Sequence, residues 1–419
     1  MSEEAKDRRD RGLAIRRREF LRRTAVAAVA PLVAGLGCGR DGGTSGRGDR
    51  SGRRDRPGSE AGTGPISSVP ELMRVEWGSY DDVVVIDGLA SPIQFNIPQE
   101  RLPLASASLD EVRRSGITAV NVTVNARPID AATAYERTLA RISSWTREVD
   151  AHPEVLALAR SVDEVREAKR TGRLGLIYGL QDGTPFEDDL DRLEELYVAG
   201  VRIVQPTYNV QNQLGSGALV PDDAGLTELG LAAVDRMEAL GMLLDLSHCG
   251  PRTTSDGIQA ASGPVAITHS GCAAVHEHPR NKDDATLRML AERGGVVGIY
   301  LMPFLNPEGP PTAMDVLRHI EHALDVCGED HVGIGSDQGI VPLDTGGDFR
   351  QRFEEVSRQR ATAGIAAPRE DTVPYVPQLN HPRRMETIAG MMSDHGHPDR
   401  VIEKVIGANF MRLFAEVWS

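Results

Sequence analysis

Three residues with metal-binding side chains each end a short apolar run of the kind that forms a buried strand. His248 ends MLLDLSH, His269 ends PVAITH and Asp337 ends HVGIGSD. Neutral imidazole and carboxylate are the usual protein ligands of zinc, and three of them leave one position open for water. The three residues therefore predict a site for one divalent metal, with zinc as the expected ion. A lone histidine after an apolar run is more often a core or turn residue, so the prediction depends on all three.

Eight apolar, β-branched segments would have to position these side chains. Between them lie helical patterns that start with acidic residues and end with basic residues or Gly. Nearly continuous apolar strands alternating with helices predict a parallel (β/α)8 TIM barrel with its helices outside. Two flavodoxin-like domains are the alternative, although no GxGxxG or phosphate-binding loop opens any of the helices. The eight segments are residues 83–87, 117–124, 173–180, 201–208, 242–248, 264–269, 295–302 and 331–337.

In such a barrel the chemistry lies at the carboxyl ends of the strands. Besides the three candidate ligands, these ends carry Gln181, Tyr208, Asn209 and Tyr300. Tyr208 and Asn209 are polar and are predicted to line a pocket, with Asn209 and Tyr300 as substrate contacts. An ordinary loop fixed by Asn and Gly turns fits the segment after residue 208 equally well.

The folded part of the chain is acidic, and the basic excess lies in the leader. The formal net charge of the 419 residues is −14, whereas residues 1–60 carry 15 basic and 9 acidic residues. A nucleic-acid binder is therefore not expected. Arg17 and Arg18, followed by Phe-Leu and a short apolar run, predict a twin-arginine-type signal over residues 1–38 and export to the periplasm or cell envelope. Cys38 is a candidate lipid anchor, which would be the chain's contact with the membrane.

Two further parts complete the predicted organisation. Residues 39–75 are polar and Gly-rich and predict a flexible tether, and residues 76–419 predict the barrel domain. Residues 339–377 follow the eighth strand and are expected to cover the pocket mouth. The cysteines after residue 75 are odd in number and form no CxxC, which favours buried free thiols.

Several motifs resemble, in order and spacing, those of the membrane (renal) dipeptidase family of metallopeptidases. They lie within residues 80–419 and read LLDLSHCG, PVAITHS, EHPRNKDD, AERGGVVGI, HVGIGSD and IGANFMRLF. The resemblance implies a barrel of the metal-dependent hydrolase type that cleaves dipeptides, including those with D-residues and dehydro-dipeptides, with two zinc ions. It also implies that the chain can form a homodimer, as family members often do.

The resemblance assigns roles to individual residues of this sequence. His248 and His269 match the two histidines of the second metal position, and Asp337 matches the aspartate of the first. Arg280 matches the arginine that grips the substrate carboxylate, a contact that a bidentate guanidinium makes well. His278, beside Arg280, is expected to be an exposed loop residue.

The sequence departs from the family at other ligand positions. Leu89-Ala90-Ser91 replaces the His-x-Asp of the first strand, Gln181 replaces the bridging glutamate, and Tyr208 replaces a histidine that polarises the scissile carbonyl. Leucine cannot coordinate, and neutral Gln does not offset the repulsion between two cations. We therefore expect one ion, bound by His248 and His269 with Asp337 or the carbonyl oxygen of Gln181.

Two functions remain open from the sequence. The first is an exported metallohydrolase that cleaves a dipeptide or a related small amide with a free carboxylate, with Asp337 accepting a proton from water and Tyr208 donating to the developing oxyanion. The second is a non-catalytic or metal-free protein that binds small ligands on the same barrel. Retention of His248, His269 and Asp337 together favours catalysis.

Overall fold

Parallel strands follow one another around the core of the computed structural model, which describes residues 73–93, 102–125 and 133–418. The strands alternate with helices as the sequence predicts. The strands are β1 (Ile86–Asp87), β2 (Ala90–Ser91), β3 (Ala119–Thr123), β4 (Leu156–Leu158), β5 (Leu174–Leu180), β6 (Val201–Val204), β7 (Leu243–Leu244), β8 (Ala266–Ser270), β9 (Val296–Ile299), β10 (Val332–Ile334) and β11 (Gln338–Gly339).

The helices lie between and after these strands. Most of them are amphipathic and bury one apolar stripe. They are α1 (Ser106–Ser115), α2 (Ala134–Ala151), α3 (Val162–Thr171), α4 (Asp191–Val198), α5 (Glu228–Leu240), α6 (Pro251–Ala260), α7 (Asp284–Glu292), α8 (Ala313–Cys327), α9 (Phe349–Thr362), α10 (Arg384–Asp394), α11 (Asp399–Glu403) and α12 (Asn409–Val417).

Eight of the strands close into a barrel. β1, β3, β5, β6 and β7 pair in that order, and β8, β9 and β10 pair in a second parallel run. The parallel bridge of Asp245 with Ala266 joins the two runs on one side. On the other side the Gly88 amide donates to the Ile334 carbonyl at 2.8 Å. The predicted (β/α)8 barrel is confirmed, with β4 as an additional strand beside β5 and β2 paired with β11 beyond the strand ends.

Phe410 of α12 packs inside the barrel. Its side chain packs against buried residues of the barrel strands. The aromatic ring also lies close to Gly88 and Gly333, so that a Cβ at Gly333 would stand 2.6 Å from Phe410 Cε2. The Asn409 side chain fixes the helix by donating to the carbonyls of Glu329 and Val332. These contacts give a packing reason for the NF pair in IGANFMRLF. The strand residues in the cluster are Ile86, Ala119, Ile177, Ile203, Leu243, Ala266 and Val296.

Residues 343–376 form a segment outside the barrel, referred to below as the covering segment. It contains α9, and its own small apolar cluster is formed by Leu343, Phe349 and Phe353 with Val373 and Tyr375 packed against them. This cluster packs within the segment, whereas Ala367 and Val376 of the same segment join the main hydrophobic core.

The predicted signal over residues 1–38 and most of the tether over residues 39–75 lie outside the described residues. At the beginning of the described part, the Met73 amide donates to the Gln378 carbonyl at 3.1 Å. Within the described ranges, no helix combines the length and apolarity needed to cross a membrane.

Candidate metal centre

The two predicted histidines meet at the carboxyl ends of neighbouring strands. His269 lies in β8 and His248 follows β7, and the Nε2 atoms of the two rings are 2.9 Å apart. Both side chains are buried. The bridge of Asp245 with Ala266 sets the two strand ends side by side, so the parallel register brings together residues that are 21 positions apart in sequence.

Asn209 determines which nitrogen of His248 carries the hydrogen. The Asn209 amide nitrogen donates to the Ile365 carbonyl at 2.9 Å, so Oδ1 is the atom that faces His248 Nδ1 at 2.7 Å. Because an amide oxygen only accepts, Nδ1 of His248 must donate. The neutral ring of His248 therefore keeps a lone pair on Nε2.

Asp245, acting through Thr268, determines which nitrogen of His269 carries the hydrogen. The Thr268 hydroxyl donates to Asp245 Oδ2 at 2.6 Å, and it lies 2.9 Å from His269 Nδ1. With its hydrogen already directed to the carboxylate, the hydroxyl can only accept from Nδ1. Asp245 is itself held by Ser247 and Gln205, which fixes the carboxylate in the barrel. His269 thus also keeps its lone pair on Nε2.

Two lone pairs at 2.9 Å repel each other unless a positive group lies beside them. Burial, and after it the charge of Arg280, holds the pKa of both imidazoles well below the ordinary value. A proton is therefore disfavoured as that positive group. Both Nε2 atoms can reach a single zinc ion, since zinc binds imidazole at about 2.0–2.1 Å. Hydrogen-bonded Nδ1 atoms are typical of metal-binding histidines, so the pair offers two of the ligands that a metal ion would need.

Arg280 adds a buried cation beside the histidine pair. Its side chain is 2% exposed, and among the described residues Nε and Nη2 have no hydrogen-bond partner. Leaving a buried N–H without a partner costs about 1–3 kcal/mol. The Ser270 hydroxyl holds the Arg280 carbonyl at 2.8 Å, which anchors the residue next to β8. The free N–H groups suit the bidentate contact with a carboxylate predicted for this residue.

Asp337 occupies a strained turn after β10. Its φ of 54° lies in the left-handed region, which Asp tolerates better than most residues, and its amide donates to the Leu89 carbonyl at 2.8 Å. Within the described part of the chain, no three His, Cys, Asp or Glu side chains are gathered so as to hold a metal ion. Asp337 as a third ligand or as a catalytic residue stays a prediction.

The end of the first strand offers no ligand. Leu89 and Ala90 are buried, and Ala90 pairs with Gln338 in the two-stranded β2–β11 arrangement. Backbone pairing and apolar packing therefore occupy the place where the family has His-x-Asp. Gln181 is half-buried, and its backbone N–H donates to Asn125 Oδ1. Metal binding by its side chain stays a prediction.

The covering segment contacts two residues that lie against His248, which agrees with a position of residues 339–377 near the predicted site. The Tyr208 ring stacks on the His248 ring with centroids 4.0 Å apart, and Arg360 of α9 donates to the Tyr208 hydroxyl at 3.2 Å. Arg360 is held in turn by Glu370, with Nε to Oε2 at 2.6 Å. Asn209, which also contacts His248, donates to the Ile365 carbonyl of the same segment. The segment is therefore connected to His248 through two residues, Tyr208 and Asn209.

The structure gives other roles to some predicted residues. Both ends of the Asn209 amide are bonded inside the protein, and the Tyr300 hydroxyl donates to Asn281 Oδ1. Their substrate contacts stay predictions. The expectation that His278 is exposed is wrong: its ring is buried, stacks on Phe304 at 4.3 Å and faces the Pro368 carbonyl of the covering segment. The prediction of buried free thiols is confirmed for Cys249, Cys272 and Cys327.

Sequence reasoning missed the residues that orient the histidines. Asp245 stands inside LLDLSH, where a carboxylate in an apolar run needs buried partners, and Thr268 directly precedes His269. Arg360 carried no local signal, because its partners lie 10 and 152 residues away.

A closed parallel barrel with a histidine pair at its carboxyl end defines a metal-dependent hydrolase fold. Residues 81–366 match the family model described as membrane dipeptidase, peptidase family M19. The chain belongs to that family of metallopeptidases.

The relatives agree with this assignment. Dipeptidase verJ of Clonostachys rogersoniana is 32% identical over 221 residues, which cover 52% of this chain and 57% of that enzyme. An amidohydrolase of Pseudomonas aeruginosa has a TM-score of 0.70 at 30% identity, covering 81% of this chain and 98% of that one. A metallo peptidase of Rhodobacter sphaeroides, solved with a phosphinate mimic of the dipeptide L-Ala-D-Ala, has a TM-score of 0.64 at 22% identity, covering 80% and 99%.

Proposed function

We propose that the protein is a metallohydrolase that uses one divalent ion, zinc as the best match, to cleave a dipeptide or a related small amide with a free carboxylate. The observation that supports this most is the pair of Nε2 lone pairs, 2.9 Å apart, beside the unpartnered N–H groups of Arg280. The histidine pair suits a cation, and the N–H groups of Arg280 suit a carboxylate. The similarity to a dipeptidase supports a dipeptide as the substrate class.

Each residue has a defined part in the proposed reaction. His248 and His269 hold the ion, which when bound polarises a carbonyl and lowers the pKa of a bound water. Arg280 binds the substrate carboxylate and so orients the scissile bond. Asp337 accepts the proton of the attacking water and returns it to the amide nitrogen as the C–N bond breaks and the amine leaves. The Tyr208 hydroxyl, whose oxygen accepts from Arg360, keeps its hydrogen to donate to the developing oxyanion.

One ion agrees better with the residues present than two. The first strand contributes buried Leu89 and Ala90, and position 181 carries a neutral Gln in place of a bridging carboxylate. Two divalent ions close together need anionic ligands to offset their repulsion. The same replacements favour the alternative, a non-catalytic or metal-free protein that uses Arg280 to bind small carboxylated ligands on the same barrel.

Metal content and turnover separate these functions. The untagged protein should contain about one zinc or similar ion per chain, and the ion should have three or fewer protein ligands, as in catalytic sites. The variant His269→Ala should contain no such ion. His395→Ala, a more exposed histidine, is the matched control and should keep it. Hydrolysis of dipeptides that stops when their C-terminal carboxylate is amidated would support the enzyme and the role of Arg280. An ion-free wild type that binds dipeptides without cleaving them would overturn the metallohydrolase in favour of the alternative.

We also propose export by the twin-arginine-type leader to the periplasm or cell envelope, with Cys38 as a lipid anchor and a homodimer as the assembly. The support is the Arg17-Arg18 pair followed by Phe-Leu and the short apolar run. Replacing both arginines with lysine should retain a reporter fusion in the cytoplasm. Export of that variant at the wild-type level would contradict the assignment of the leader.

A further inference from the structure

Lys282 is a buried lysine that the proposed reaction does not use. Its side chain is 4% exposed, and Nζ donates to the Cys249 carbonyl at 2.7 Å and to Thr254 Oγ1 at 3.0 Å. Thr254 directs its own hydrogen to the Gly250 carbonyl at 2.7 Å, which leaves its oxygen free to accept from the lysine. The ammonium thus reaches the chain directly after His248.

The main chain of Lys282 is tied to the other histidine. Its amide donates to the Gly271 carbonyl at 2.9 Å, and its carbonyl accepts from the Ala273 amide at 2.8 Å. Residues 271–273 follow β8, the strand that ends with His269 and Ser270. One residue therefore connects the segment after His248, through its side chain, with the segment after His269, through its backbone.

Neutral acceptors alone hold this ammonium. The two acceptors that Nζ contacts are a backbone carbonyl and a hydroxyl, and burying an ammonium against neutral partners is unfavourable. An apolar side chain of similar length, such as Met, would avoid that unfavourable desolvation. The contribution of lysine at this position is therefore geometric, because the hydrogen bonds to Cys249 and Thr254 fix the direction in which the chain leaves His248.

We propose that Lys282 is a positioning residue that sets the placement of His248 relative to His269 and thereby the affinity of the pair for a metal ion. This inference rests on the proposed function only in assuming that the two histidines bind one ion. Lys282 acts through other residues, the carbonyl of Cys249 and the hydroxyl of Thr254, since both acceptors of its ammonium belong to the protein and the residue is buried.

Zinc titration of the full-length protein against a competing chelator tests the proposal. Lys282→Met should weaken Zn²⁺ binding about tenfold or more, as removal of groups that orient metal ligands does elsewhere. Thr254→Val, which removes one acceptor and keeps the lysine, should weaken binding in the same direction by less. The visible spectrum of the Co²⁺-substituted protein should change in both variants, because it reports ligand geometry.

Arg202→Met is the matched control. Arg202 is another buried cation that donates to backbone carbonyls, those of Arg160, Tyr197 and Val201, at the opposite end of β6 from Tyr208. The Arg202→Met variant should have a lower free energy of unfolding than wild type but the same zinc affinity. Wild-type protein that binds no zinc would refute the metal site itself. Zinc-binding wild type with unchanged affinity and cobalt spectra in both variants would overturn the positioning role, as would an equal loss of affinity in Arg202→Met.

Discussion

The ring of Tyr208 lies against the ring of His248, with centroids 4.0 Å apart and planes inclined by 22°. Arg360 reaches this stack from the covering segment and bonds the tyrosine hydroxyl, while Glu370 holds Arg360. The side chains of Arg360 and Glu370 are about nine-tenths buried, at 10% and 11% exposure. The order of the covering segment is thereby connected to the orientation of the His248 ring.

Arg360→Met is expected to loosen the covering segment and lower kcat/KM for a dipeptide about tenfold or more. The reason is that Glu370 would remain buried without its cation, which is strongly unfavourable. Hydrogen exchange across residues 343–376 and dipeptide hydrolysis are the two measurements. Arg358→Met on the same helix removes an exposed pair with Glu355 and should leave both unchanged. Faster exchange with full activity would show that the segment does not position Tyr208.

Thr268→Val is expected to weaken zinc binding by about tenfold or more. Valine keeps the shape of threonine but cannot accept from His269 Nδ1, so the hydrogen is free to move to Nε2 and block the metal-binding lone pair. Isothermal titration with Zn²⁺ measures the effect. Thr387→Val, a buried threonine on α10, serves as the control for losing a buried hydroxyl. Equal zinc affinity in wild type and Thr268→Val would contradict the hydrogen assignment of His269.

The strands and the position of the two histidines at neighbouring strand ends were predictable from the sequence because both signals are local. An apolar β-branched run that ends in His248 or His269 indicates a strand and its carboxyl end at once. Asp337 could be placed after the eighth strand in the same way, but the sequence does not signal its positive φ, which directly precedes the pairing of β11 with β2. That pairing has no signature within either short segment.

The residues around the histidines were not predictable, because long-range contacts determine them. Arg360 and Tyr208 are 152 residues apart, and His278 is packed between partners far along the chain, with its ring on Phe304 and its Nε2 facing the Pro368 carbonyl of the covering segment. A loop sequence containing His, Glu and Pro predicts exposure on average. Tertiary contact with a second loop reverses that expectation here.

The titration of Lys282 is expected to raise the free energy of unfolding as the pH increases above about 8. Burial lowers the pKa of its ammonium to about 8 in the folded protein, against an ordinary value of 10.5. Between these two values the unfolded chain holds a proton that the folded chain has released, so stability rises with pH. The free energy of unfolding of wild type relative to Lys282→Met should therefore increase by about 3 kcal/mol across this window.

Urea unfolding of the two proteins at several pH values from about pH 7 upward measures this difference. Comparing wild type with the variant cancels the titration of other lysines and tyrosines, which both proteins share. Below the folded pKa of about 8 the difference should be constant. A difference that stays constant up to pH 10.5 would mean that burial does not lower the pKa of Lys282, which would then stay charged in the folded protein across the whole window.

Phe410 and Gly333 provide a test of the packing inside the barrel. Phe410→Ala should lower the free energy of unfolding by about 3–5 kcal/mol, because the ring fills the space between the strands. Leu231→Ala, at an exposed position, should change it by less than about 0.5 kcal/mol. Gly333→Ala alone should destabilise by about 1–3 kcal/mol, since its Cβ would stand 2.6 Å from Phe410 Cε2.

The double variant separates a packing conflict from a backbone effect. The three nearest atoms to a Cβ at Gly333 all belong to the Phe410 ring, so removing the ring should remove the conflict. In the Phe410→Ala background, Gly333→Ala is therefore expected to be nearly neutral, and the cycle should give a coupling energy of about 1–3 kcal/mol. If the two substitutions had additive effects, the destabilisation by Gly333→Ala would come from the backbone of Gly333. That result would contradict the placement of the Phe410 ring beside Gly333.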